Sequence, residues 1–492
     1  MITRLIFGLL CIVRLSSAVT QADIQSYLKN HLSSGSEVLL PSDPSYSTEL
    51  RERWNAFRAP TYVVGVKPTT AEDISIIIRY ASTNSIPFMG TGGGHGYTVT
   101  TSALQNGINI DLSAFDRVSI DATTSTLTIG GGVTFGDVLD PVHAAGKEIQ
   151  TGSCSCVGMV GATLGGGIGV YQGLHGLIID ALESVTVVTG KGDIVNASQS
   201  ENSDLFWGIR GAGQNFGIVS SATYKLHDQT NGGFALNGDF LFPLSENATI
   251  FNILASFAGN QPDALSLTSA IQYSDTFKTV VIMVNAVFVG VEKDGRKILE
   301  PLLSTTPLES NVTMIPYNRL IRENRFGADP LGCIAGLPQA SYGLNLYHFD
   351  VATYQKTLAA YVKFYAATGL TTSFMVTELF PTRVSLETPN IMTAYPYRDT
   401  TAYLQVPPAM FFSFSGFTTD AQTSYITSFA EERRAEFTKL NSGKGLQVYV
   451  NYAHGNEGRI AWYTAEKLPK LEYLKKQWDP QNLFNFTNGI TY

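Results

Sequence analysis

Cysteine is scarce in this chain: four among 492 residues, with Cys11 in an N-terminal apolar run and only Cys154, Cys156 and Cys333 beyond it. That count excludes a disulfide scaffold, and an odd set in an oxidising compartment leaves at least one sulfur needing another explanation. Charged residues are also few, at 15% against 44% hydrophobic, a balance that argues against long disorder. The formal charge is −8, and it grows more negative if Arg4 and Arg14 leave with the first 18 residues. An acidic surface repels phosphate backbones, which argues against a nucleic-acid partner. No segment reaches the ~18 unbroken apolar residues of a membrane span. The seven histidines show no ligand spacing with the cysteines, so no metal site is expected.

What is present begins with an address. Arg4, the apolar run Leu5 to Val13 and the small residues Ser16-Ser17-Ala18 read as a secretory signal peptide over 1–18. The alternative is a buried N-terminal helix. Sequons at Asn196, Asn247, Asn311 and Asn485 fit the secretory route. The chain is longer than one core usually supports, so two lobes are expected. Residues 19–56 read as a mixed, helical lead-in without chemistry of its own. Residues 57–228 form the first lobe, 229–445 the second, and 446–492 rejoin the first. Thr70 predicts an N-cap for a helix over 71–84. Short β-branched runs at 62–66, 108–112, 118–120, 126–129 and 181–189 predict strands, and their alternation with helices makes the class α+β.

Two glycine clusters carry the chemistry. The first is Gly90-Thr91-Gly92-Gly93-Gly94-His95-Gly96-Tyr97, directly after a predicted strand. Its backbone can approach a ligand closely, and consecutive N–H groups can form an anion nest. A flexible surface loop is the plain alternative, but such a loop has no use for the imidazole of His95. The second runs from Gly152 through Cys154, Cys156, Val157, Gly158 and Gly161 to Gly165-Gly166-Gly167-Ile168-Gly169. Neither is a Walker A loop, and neither has a Rossmann setting. A nucleotide cofactor bound in another manner is the better inference. The Cys154-x-Cys156 pair stays open among a metal site, a plain or disulfide-bonded thiol, and a thiolate that adds to a cofactor.

In their order, these clusters join Ile110-Asp111-Leu112-Ser113, Gly173-Leu174-His175-Gly176-Leu177, Asp204 to Gly211, Asn215 to Val219, Tyr449-Val450-Asn451-Tyr452 and Asp479 to Phe484. The whole resembles the vanillyl-alcohol oxidase and p-cresol methylhydroxylase superfamily, and within it the berberine bridge enzyme-like FAD-linked oxidoreductases. The resemblance implies a two-lobed FAD-binding domain of the p-cresol methylhydroxylase type, with an α+β substrate domain over the flavin. It implies an FAD cradle of Gly92, Gly93, Gly94, Gly96, Tyr97, Gly158, Gly161, Gly165, Gly166, Gly167 and Val219. His95 then stands where the flavin 8α-methyl is bonded, a step that needs a neutral imidazole. Cys154 stands where some members add a second bond to flavin C6, which leaves attachment through one bond or two open. Cys156 has no counterpart.

Val157 matches a position where a small side chain leaves room for O2, favouring an oxidase. Tyr452, with Asn451 beside it, matches a tyrosine used as base in relatives. Plant-type members carry a glutamate six residues after the arginine matched by Arg398, and here that position is Leu404. A phenol acts as base near neutral pH only if its surroundings lower its pKa, and Arg398 is the candidate cation. Arg398 could equally bind an acidic substrate or complete an ion pair. The implied protein is a secreted monomeric oxidase of a small organic molecule, such as a biosynthetic intermediate of secondary metabolism. Its rivals are an oligosaccharide oxidase and a secreted flavin-binding protein without turnover. A closed apolar pocket would favour the first, and a cleft with exposed aromatics the sugar oxidase.

Overall fold

Ile74, Ile77, Ile78 and Ala81 recur at helical spacing and are all fully buried, which explains why Ala71–Thr83 is a helix packed on a sheet. Its start is fixed by a capping box: the Asp73 N–H donates to Thr70 Oγ1, and the Thr70 N–H to the Asp73 carboxylate, both at 3.1 Å. The computed structural model describes residues 19–406 and 419–491, so the expected signal peptide at 1–18 lies outside the described residues.

The first lobe holds two sheets. The first contains β1 (Glu37–Leu39), β2 (Tyr62–Lys67), β3 (Phe88–Thr91) and β4 (Gly107–Asp111) in the order β1-β2-β4-β3, with β2 and β3 parallel to β4. The second contains β5 (Val118–Asp121), β6 (Thr126–Gly130), β8 (Leu182–Thr189), β9 (Ile194–Ser198) and β10 (Gly217–Lys225), antiparallel in the order β5-β6-β10-β8-β9. A small ribbon pairs β7 (Lys147–Glu148) with β11 (His227–Asp228). The C-terminal helix Arg459–Trp478 returns to this lobe, burying Trp462, Tyr463, Leu471 and Leu474 in its larger core.

The second lobe is built on a seven-stranded antiparallel sheet. Its strands are β12 (Phe234–Pro243), β13 (Leu265–Ser274), β14 (Thr279–Phe288), β15 (Glu309–Pro316), β16 (Tyr342–Leu346), β17 (Phe374–Leu379) and β18 (Ala402–Val406), in the order β15-β12-β14-β13-β17-β18-β16. Strand β14 is almost continuously apolar because both of its faces are covered. Ile282, Val284 and Ala286 face a core shared with the helices Asn247–Phe257 and Val351–Thr368. Val281 and Met283 face the other way, into a small separate cluster with Leu241 and Ala270.

A disulfide between Cys156 and Cys333, 177 residues apart, ties the second glycine loop to the second lobe. Among the described residues, Cys154 is left as the free thiol. Closing so long a loop restricts the unfolded chain, an effect worth about 2–4 kcal/mol in typical proteins. The double variant Cys156→Ser/Cys333→Ser should therefore unfold at a clearly lower temperature than wild type, as followed by circular dichroism. Equal midpoints would show that the bridge contributes no stability.

Candidate functional site

A cavity of about 1000 Å³ lies between the lobes. Its first-lobe wall contains Gly92, Gly93, Gly94, His95, Gly96, Tyr97, Cys154, Val157, Gly158, Gly161, Gly167 and Val219, and the C-terminal segment adds Asn451 and Tyr452. The two glycine clusters touch: a Cβ on Gly93 would sit 2.2 Å from the backbone nitrogen of Gly158. Among the described residues, the N–H groups of Gly93, Gly94, His95 and Gly96 have no backbone acceptor. A row of open donors on a cavity wall suits a pyrophosphate, so these loops fit a dinucleotide.

Gly165 and Gly166 were expected in the cradle but stand behind it. A Cβ on Gly165 would meet Asn451 Oδ1 at 2.1 Å, and one on Gly166 would meet the Tyr395 ring at 2.7 Å. Their bareness lets Asn451 of the C-terminal segment and Tyr395 of the second lobe pack closely. Asn451, on the wall itself, donates to the Ala162 carbonyl at 2.9 Å and to Tyr449 Oη at 2.7 Å.

His95 is stacked on Trp54 with ring centroids 4.2 Å apart. Its Nε2 lies 3.2 Å from the Gly332 carbonyl. A carbonyl only accepts, so Nε2 carries the proton and Nδ1 the lone pair. Burial holds the imidazole pKa down to about 4, so the ring is neutral at neutral pH. The lead-in is thus not inert: besides Trp54, Arg51 Nη1 donates to the carbonyls of Gly92 at 2.9 Å and Gly132 at 2.8 Å. These contacts hold the glycine loop from beneath.

The Cys154 sulfur lies within 4.8 Å of both bridged sulfurs. With two of the three joined to each other, the trio offers no metal site. Burial pushes the Cys154 thiol up to about 11, so it stays protonated until something nearby stabilises the thiolate.

Tyr452 is the one expected base, and its surroundings oppose the simple version of that role. Its pKa is pushed well above the ordinary phenol value by burial and by the charge of Glu378. Arg398 supplies no help. It is buried in a bidentate pair with Asp180, at 3.0 and 2.9 Å, and also bonds Ser385 and Thr393. It is a structural cation. The partner of Tyr452 is instead Glu378, whose Oε2 accepts from Tyr452 Oη at 2.8 Å while Oε1 accepts from Ser153 Oγ at 3.0 Å. Burial raises the Glu378 pKa; the bonds from Tyr452 and Ser153 and the charge of Arg325 oppose that shift.

Glu378, Arg325 and Trp54 escaped the sequence reading. The signal for Glu378 was available, since it is the only acid in the strand Phe374–Leu379, and a charge in an apolar strand is costly without a purpose. Arg325 and Trp54 carry no comparable signal.

The comparisons agree with this geometry. A family model described as "FAD binding domain" matches residues 63–198, and one described as "Berberine and berberine like" matches 448–491. The chain is 40% identical over 472 residues to the FAD-linked oxidoreductase azaL of Aspergillus niger, covering 95% of this chain and 99% of that protein. Among solved structures, Physcomitrella patens BBE-like 1 superposes with a TM-score of 0.80 at 21% identity, over 96% of this chain and 99% of that one. The glucooligosaccharide oxidase of Acremonium strictum, described with a 6-S-cysteinyl, 8α-N1-histidyl FAD, gives a TM-score of 0.79 at 21% identity, over 95% and 98%.

The contact between the glycine clusters makes a direct test. In Gly93→Ala the new methyl meets backbone, which cannot swing aside. The purified variant should carry much less flavin than wild type, by the ratio of absorbance at the flavin band to that at the protein band. Full flavin content would show that the loops need not touch.

Proposed function

The chain belongs to the berberine bridge enzyme-like FAD-linked oxidoreductases, and we propose that it is a secreted, monomeric oxidase that takes a hydride from a small organic alcohol and passes the electrons to O2. The Tyr452–Glu378 hydrogen bond on the cavity wall carries this reading. FAD, when bound, supplies the hydride acceptor and the route to oxygen. The protein supplies the proton path. A substrate hydroxyl gives its proton to Tyr452 Oη as the tyrosine's own proton moves to Glu378 Oε2. The phenol then never has to exist as a free phenolate, which resolves the obstacle of its raised pKa. Ser153 holds the other carboxylate oxygen in place.

The same wall supports covalent attachment. His95 offers a neutral ring on the cavity wall, the Cys154 thiol lines the same cavity, and the glucooligosaccharide oxidase uses both kinds of bond. Val157, small and on the cavity wall, is the residue assigned to oxygen access. Secretion is favoured by the Cys156–Cys333 bridge, since such bonds persist mainly in oxidising compartments. A sugar-oxidising alternative draws on the polar cavity residues Gln272, Glu309 and Thr371. Peroxide release from cellobiose but from no aromatic alcohol would select it.

Two measurements test the proposal. Wild-type protein precipitated with acid should keep its flavin in the pellet, while His95→Ala should release it to the supernatant; release from both would end the claim of covalent attachment. Glu378→Gln should slow flavin reduction by about 10²- to 10⁴-fold, the usual contribution of a positioned base. In wild type the rate should fall on acidification, because the carboxylate must be ionised to accept. The midpoint should lie above the ordinary carboxylate range, following the direction of the Glu378 shift. A flat acid limb, or a Gln variant as fast as wild type, would remove Glu378 from the proton path.

A further inference from the structure

The fold separates the four Asn-x-Ser/Thr sequons into two kinds. Asn485 sits close to the buried residues Phe484 and Asn488, with its Oδ1 buried and Thr487 on the wall of the large cavity. Asn247 is half-buried at the start of the helix Asn247–Phe257. Its Nδ2 donates to the Leu244 carbonyl at 2.6 Å, and its Oδ1 accepts from Gln355 Nε2 at 2.7 Å. A sugar on either amide would displace packed neighbours, so a chain carrying one there would not close into this fold.

Asn196 and Asn311 are exposed, and each lies on an outermost strand. Asn196-Ala197-Ser198 is in β9, at the edge of the first lobe's antiparallel sheet, and Asn311-Val312-Thr313 is in β15, at the edge of the seven-stranded sheet. Strand alternation sorts both sequons alike. The middle residue points inward: Ala197 is fully buried, and Val312 packs on the core beneath the helices. The asparagine and the hydroxyl residue share the opposite face. Asn311 stands opposite Asp239 on β12, but that buried carboxylate is already saturated. It accepts from the Arg325 N–H at 2.8 Å, the Phe326 N–H at 3.0 Å, Asn285 at 2.8 Å and Asn237 at 2.9 Å, which fills its roughly four acceptor sites. The first two bonds hold Arg325 and Phe326 in the left-handed region, with φ of 54° and 56°. The exposed Asn311 amide is left available.

The two edges differ in how they are closed. After β9 the chain turns back and covers its own edge: Asn202 Nδ2 donates to the Asn196 carbonyl, and the Ser198 N–H to the Glu201 carbonyl, both at 2.7 Å. Among the described residues, β15 pairs on one side only, with β12, in unbroken register from Glu309 to Pro316. Its free side is a row of backbone N–H and C=O groups on which another chain could add a strand. Lysines, bulges or prolines usually blunt such an edge. In β15 the one charge, Glu309, is the first residue and the one proline the last.

We propose that the chain carries N-linked glycans on Asn196 and Asn311 and none on Asn247 and Asn485, and that the Asn311 glycan keeps the free edge of β15 from pairing with a second copy of this chain. This rests on the secretion reading above. The donor is a lipid-pyrophosphate-linked oligosaccharide. The asparagine amide nitrogen bonds its anomeric carbon and gives up one proton, and the lipid pyrophosphate leaves.

The full chain would be expressed in a fungal host, with medium and cells collected separately. Peptide N-glycosidase in heavy-oxygen water converts each glycosylated asparagine to a labelled aspartate, read by peptide mass spectrometry. Asn196 and Asn311 should be labelled, and Asn247 and Asn485 should not. Asn311→Gln and Thr313→Val should each lose one of the two glycans, with the same step in electrophoretic mobility and with flavin content unchanged. In light scattering at rising concentration, both variants should form dimers and larger species, while wild type and Asn196→Gln stay monomeric. Label at Asn247 or Asn485, or none at Asn196 or Asn311, would overturn the site assignment. An Asn311→Gln protein that stays monomeric at every concentration would overturn the shielding role. Unlabelled protein retained in the cells would overturn the secretion reading together with this one; unlabelled protein in the medium would overturn this one alone.

Discussion

The segment from Arg325 to Cys333 belongs to the second lobe by chain order but is fastened to the first, and the shape of the site follows from that fastening. Cys333 is bridged to Cys156. Asp329 accepts from the Ser155 N–H at 2.8 Å and from its hydroxyl at 2.5 Å. The Gly332 carbonyl accepts from Trp54 Nε1 at 2.8 Å and faces His95 Nε2 at 3.2 Å. One short stretch thereby sets the tautomer of His95, stands against Cys154 and presents Arg325. Gly332 has to be bare for this to work: a Cβ there would lie 2.5 Å from the Cys154 sulfur.

Two buried carboxylates shape the facing sheet, and each avoids the cost of burial differently. Asp239 is met by four N–H donors, so its charge is fully satisfied and can hold a strained turn. Glu378 has two hydroxyl donors and a more distant guanidinium. That is less than full compensation, and its raised pKa is the consequence. A structural anion should be over-satisfied; an anion that takes up a proton should not. The two residues stand in the same transverse row of the sheet, with Asn285 and Thr268 between them.

How much of this was legible depended on whether the signal was local. The helix over Ala71–Thr83 could be read because its cap and apolar spacing lie within one stretch of sequence. The glycine clusters could be read as a nucleotide cradle because their density has few other uses, though not which glycines face the cavity. Gly165 and Gly167 are two residues apart, yet only Gly167 lines it, because Asn451 occupies the space beside Gly165. The pairing of Cys156 with Cys333 joins positions 177 residues apart, and no local pattern marks such a partner. The Arg325 turn was invisible for another reason: its residues have no preference for the left-handed region, and a distant aspartate forces them into it.

Leu404 shows how strand parity decides where a base can stand. The family resemblance suggested a glutamate at this position, yet Leu404 is fully buried in the core beneath the helices, with Leu344 and Leu379. Tyr403 points to the opposite face and belongs to the first lobe's core. Side chains alternate along a strand, so in this register position 404 cannot face the cavity. A carboxylate there would be buried in the helix-side core, away from the cavity. The neighbouring strand offers a position of correct parity, since β17 pairs with β18 so that Glu378 stands directly opposite Tyr403. From that position it reaches Tyr452 on the C-terminal segment. The acid missing from β18 is thus replaced one strand over, on the face where a proton acceptor can meet both the phenol and the cavity.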